Sequence, residues 1–114
     1  MKIEKKQEQE AAVVSVKGRM DAVSSPEFEK EMAVLLAEGN NVLILDLAAL
    51  DYISSAGLRS ILTITKKLKG KDGKLLIAGL KGMVKEVFEI SGFRSIIPIF
   101  ESVESARARV EEKI

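Results

Sequence analysis

The sequence predicts one α/β domain, with a mixed sheet of about five strands and about four helices. Two observations carry this. Val42-Leu43-Ile44-Leu45 and Leu75-Leu76-Ile77-Ala78 are apolar at every position, as strands buried on both faces of a parallel sheet are. Around them lie segments whose apolar residues recur at helical spacing. Crossovers long enough to hold a helix join parallel neighbours, with a right-handed connection. A chain of 114 residues has the length of one compact domain, spanning 1–114.

The elements follow in order. Ile3 to Gln9 alternates weakly and is mostly polar, which suits an edge strand. Val13-Val14-Ser15-Val16 is a stronger strand, closed by Gly18-Arg19-Met20-Asp21. Ser24-Ser25-Pro26 reads as a helix start, a serine cap with proline at the first helical position. Phe28, Met32, Leu35 and Leu36 then form a stripe, and Gly39 is the stop. After the strand at Val42–Leu45, a helix runs from about Ser55 to Lys69, with Leu58, Ile61, Leu62, Thr65 and Leu68 inward. Its lysines gather at the end that favours cations. Gly70 and Gly73 mark a turn before Leu75–Ala78. Leu80, Val84, Val87 and Phe88 suggest a short helix ended by Ser91-Gly92. Ile96, Ile97, Ile99 and Phe100 form a last strand, which Pro98 confines to an edge or a bulge. Ser102 caps a final helix with Val103, Ala106 and Val110 inward.

Composition excludes several classes of function. The 46% hydrophobic content supplies a core, and 18 basic residues balance 17 acidic ones. A net charge of +1 gives no general drive toward nucleic acid or an anionic membrane. The cluster Lys66, Lys67, Lys69, Lys71 and Lys74 has no interleaved aromatics and reads as a solvated helix end. There is no cysteine, so disulfides and thiolate chemistry are absent. There is no histidine, the commonest general base and metal ligand. The charged N-terminus is not a signal peptide, and no apolar run nears the ~20 residues that span a bilayer. The expectation is a soluble cytoplasmic protein without membrane insertion.

The run Leu50-Asp51-Tyr52-Ile53-Ser54-Ser55-Ala56-Gly57-Leu58-Arg59 is the most informative stretch. It places two hydroxyls, Ser54 and Ser55, where the chain leaves a strand and starts a helix. Unpaired N–H groups and the positive dipole end make that a place for an anion. A serine there is a cap worth about 1 kcal/mol, a phosphate ligand or a phosphoacceptor, and the residues alone favour the cap. Asp21, Asp46 and Asp51 follow predicted strands and are expected near one end of the sheet. Their loop spacing matches no calcium motif, so no metal or cofactor is expected. Serine hydrolase chemistry is weak, since the context is not Gly-x-Ser-x-Gly and the base is missing. Gly70-Lys71-Asp72-Gly73-Lys74 lacks the spacing of a P-loop.

Over almost its whole length the chain resembles the STAS domain, and specifically the bacterial anti-sigma factor antagonists. Gly18-Arg19-Met20-Asp21 is similar to the family's turn after its second strand. Val42 to Leu47 resembles its central strand, and Ile53-Ser54-Ser55-Ala56-Gly57-Leu58 its signature loop. Val84 to Phe93 resembles its late helix. The resemblance implies a STAS-like fold and puts Ser55 on the residue that the family's kinase phosphorylates. Ser54 stands where the family carries an aspartate, and serves as the backup acceptor. Ala56 replaces the second hydroxyl.

The resemblance further implies a partner switch. The unphosphorylated chain binds an anti-sigma factor that is also a serine kinase, which frees a sigma factor. Phosphorylation ends the complex and a serine phosphatase restores it. Asp21, Ser54, Ser55, Gly57 and Arg59 form the expected partner surface; because Asp21 sits in a polar turn after a strand, Asp21→Ala is expected to weaken binding and leave stability nearly unchanged. The chain is then a monomeric binding module, not an enzyme. The alternative within the family is a scaffold piece of a signalling assembly or an accessory subunit of a transporter.

Overall fold

The computed structural model describes residues 1–112. Six strands and four helices are present among them: β1 (Lys2–Gln7), β2 (Ala12–Met20), α1 (Ser25–Ala37), β3 (Val42–Asp46), β4 (Leu50–Ile53), α2 (Ser55–Lys69), β5 (Lys74–Ala78), α3 (Gly82–Ser91), β6 (Ile99–Phe100) and α4 (Val103–Glu111). A short 3-10 turn covers Phe93–Ser95. The main sheet runs β1-β2-β3-β5-β6, and β4 pairs with β2. Among the described residues, β1 pairs antiparallel with β2 and the other strand pairs are parallel. The sheet is therefore mixed, as the sequence predicts.

The uniformly apolar strands are covered on both faces. Leu43, Leu45, Leu75 and Ile77 pack with Phe28 and Met32 of α1, Ile61, Ile64 and Leu68 of α2, and Val84 and Phe88 of α3. Ile44, Leu76 and Ala78 point to the other face and meet Ala106 and Val110 of α4. Alternation along each strand sends successive side chains to opposite faces, so a fully apolar strand serves both cores. Burying one such side chain contributes about 1.5–3 kcal/mol.

Several details differ from the sequence reading. The first strand ends at Gln7, while β2 runs on to Met20 because it has a second partner, β4, beyond the end of β3. The inward face of α2 includes Ile64, whereas Leu58 and Leu62 are only half-buried. Leu80 precedes α3. The last strand shrinks to Ile99–Phe100, since Ile96 leaves the 3-10 turn and lies at the surface. Pro98 cannot donate, but its carbonyl accepts from Ile77 N–H at 3.0 Å, and β6 forms the sheet edge. Ser24 precedes α1 but makes no side-chain cap bond.

Candidate functional site

The serines do not follow the central strand directly, as the sequence reading has it. The chain leaves β3, turns, and forms β4 beside the far end of β2. Tyr52 pairs with Arg19 and Ile53 with Met20. Asp51 is the extra residue of a bulge there, and it is exposed. The Ser54 N–H then donates to the Met20 carbonyl at 2.9 Å, so the ladder persists up to the helix.

The first turn of α2 separates the two hydroxyls by role. Ser54, in extended conformation, is the N-cap, and its Oγ accepts from Gly57 N–H at 3.3 Å. Ser55 is the first helical residue and not the cap. It is exposed, and its hydroxyl makes no hydrogen bond among the described residues. Gly57 is buried and allows the helix to seat on the strand end. A Cβ there would lie 2.7 Å from both the Met20 carbonyl oxygen and Ile53 Cγ1. Arg59 is exposed one turn further along α2.

Asp21 organises the turn between β2 and α1. Its Oδ1 accepts from Val23 N–H at 3.0 Å and Ser24 N–H at 3.1 Å, and lies 3.2 Å from Ser24 Oγ. These bonds, the Ser24 amide foremost, hold its carboxyl below the ordinary value of 3.8. Ser24 Oγ in turn donates to the Arg19 carbonyl at 2.9 Å and accepts from Asp21 N–H at 3.0 Å. Asp21 is half-buried and structurally engaged, so the expectation of a stability-neutral side chain gives way. Its Oδ2 lies 3.8 Å from Arg19 Nε. The Arg19 guanidinium sits over the Tyr52 ring at 4.2 Å from the centroid, within the range of a cation–π contact.

The three aspartates do not share one place. Asp46 pairs with Ser15, six residues before Asp21 on β2, which is roughly 20 Å along an extended strand. Asp46 accepts from Ala48 N–H at 3.1 Å and serves its own turn. Asp21 and Asp51 lie at the β2–β4 end with the serines. Sequence reasoning assigned no role to Arg19, Tyr52 or the 90% exposed Val23. Their neighbourhood depends on β4, whose pairing leaves no periodic signal.

A mixed sheet covered on both faces, with an exposed serine at the start of a well-seated helix, defines a small α/β domain. The chain belongs to the STAS domain family, which matches residues 2–106, and within it to the anti-sigma factor antagonists. It is 43% identical over 96 residues to BtrV of Bordetella bronchiseptica, a candidate anti-sigma factor antagonist, across 84% of this chain and 83% of that protein. It is 29% identical over 91 residues to the anti-sigma-B factor antagonist of Staphylococcus epidermidis, across 80% of this chain and 84% of that one. The fold superposes on an anti-sigma factor antagonist from Mycobacterium paratuberculosis with a TM-score of 0.90 and 22% identity, covering 97% of this chain and 94% of that one. Among the described residues no helix is long and apolar enough to cross a membrane.

Proposed function

We propose that the unphosphorylated chain binds an anti-sigma factor that is also a serine kinase, thereby releasing a sigma factor, and that phosphate on Ser55 ends this binding. A serine phosphatase then resets the switch. The observation that carries the reading is the division of labour at the start of α2. Ser54 Oγ is committed to the Gly57 amide, and modifying it would remove the cap. Ser55 Oγ is exposed and unbonded among the described residues, so it is open to a kinase at no structural cost.

The chemistry of the switch is electrostatic. Phosphorylation adds about −1.5 to −2 charges at neutral pH. A helix start tolerates them, so the domain keeps its fold. A kinase that reaches Ser55 must cover this surface, and the phosphate then stands inside the interface. Taking such a charge out of water into the interface costs several kcal/mol.

Phosphopeptide mapping after incubation with the cognate kinase and ATP tests the reading. Phosphate on Ser55, abolished in Ser55→Ala, is expected. Phosphate on Ser54 alone, or on neither serine, overturns it.

A further inference from the structure

The helix that presents Ser55 also presents an unpaired cation beside it. Arg59 lies four residues on, in the same α2. Side chains at this spacing are surface neighbours, with Cβ atoms about 5–6 Å apart. Arg59 is exposed, and among the described residues its guanidinium makes no hydrogen bond or ion pair. Its backbone is part of α2, where its carbonyl also accepts from Thr63 Oγ1 at 2.9 Å. By contrast, Arg19 is already held against Tyr52 and Asp21. First-turn carboxylates, which would compete for Arg59, are absent from α2.

We propose that Arg59 is the resident ligand of a phosphate on Ser55. This rests on the reading of Ser55 as the phosphoacceptor. The guanidinium fork matches phosphate oxygens two at a time. An anion N-terminal to a cation at this spacing is the favourable orientation on a helix. The amides of Ser55 and Ala56, at the first two helical positions, have no partner within the helix and add donors on the same side. The modified domain therefore carries its own counterion. Arg59 is solvent-facing before phosphorylation and turned to the phosphate after it. Phosphorylation then changes the partner surface twice, by adding an anion and by withdrawing a cation.

The test uses full-length chain with phosphoserine installed at residue 55 during translation, so that no kinase is needed. The second phosphate pKa is read by 31P NMR in the parent and in Arg59→Gln, Arg59→Lys and Arg19→Gln backgrounds. An adjacent cation favours the dianion, and Arg59→Gln should raise this pKa by about half a unit. Arg59→Lys should recover part of the shift, and Arg19→Gln should leave it in place. Circular dichroism of each variant checks the fold. Superimposable titrations of the parent and Arg59→Gln overturn the proposal, as does a shift produced by Arg19→Gln alone. Kinase mapping that misses Ser55 would overturn the functional reading without moving this titration, so the two failures are distinguishable.

Discussion

Ser54 and Ser55 are adjacent in sequence, yet one is structure and the other is surface. The sequence shows both hydroxyls at a helix start, but it does not show which residue is the last extended one. That is decided by the bond from Ser54 N–H to the Met20 carbonyl, a contact across 34 positions. Ser54→Ala should cost about 1 kcal/mol in urea unfolding through loss of the cap, while Ser55→Ala should be nearly neutral. Gly57→Ala places a methyl against a backbone carbonyl that cannot step aside, and should cost roughly 1–3 kcal/mol by overpacking. Asp21 has a depressed carboxyl pKa, owing chiefly to the Ser24 amide. Its contribution is present above the ordinary value of 3.8 and is lost as pH falls through the lower folded value. Asp21→Asn removes that titration. The stability difference between parent and variant should therefore be larger at neutral pH than under strongly acidic conditions, and equal differences at both would contradict this account.

At the scale of elements, most of the chain was legible because helical stripes and apolar runs are local signals. Leu45 and Leu75 announce buried strands by composition alone. The strand β4 was not legible, since Leu50-Asp51-Tyr52-Ile53 has four residues, a bulge and a partner far away in sequence. Its role is to carry the start of α2 to the end of β2. Ile53 is 3% exposed and lies under Gly57. Ile53→Ala should cost about 2–5 kcal/mol and should speed amide exchange in Ser54–Leu58 more than in β5. Uniform protection across both segments would show that β4 does not seat the helix. The same ribbon brings Arg19 and Tyr52 together, which explains why their neighbourhood was missed when their identities were plain.

For the whole molecule, the sequence indicates strands buried on both faces but not which helices cover which face, because an apolar residue serves either core equally. The fold puts α1, α2 and α3 on one side and α4 on the other. Arg107 of α4 grips both carboxylate oxygens of Glu8 at 2.8 Å, tying the last described helix to the turn after β1. At the other end, Ser55 is exposed at the start of a helix seated on β2 and β4. Phosphate there should thus alter recognition and not the fold. Titration calorimetry of the cognate anti-sigma factor into the unmodified chain and into chain carrying phosphoserine at residue 55 tests that claim most directly. With about 1.4 kcal/mol per tenfold in affinity, the cost of taking a phosphate out of water into the interface should weaken binding by about a hundredfold or more. Equal affinity for the two forms would contradict the account.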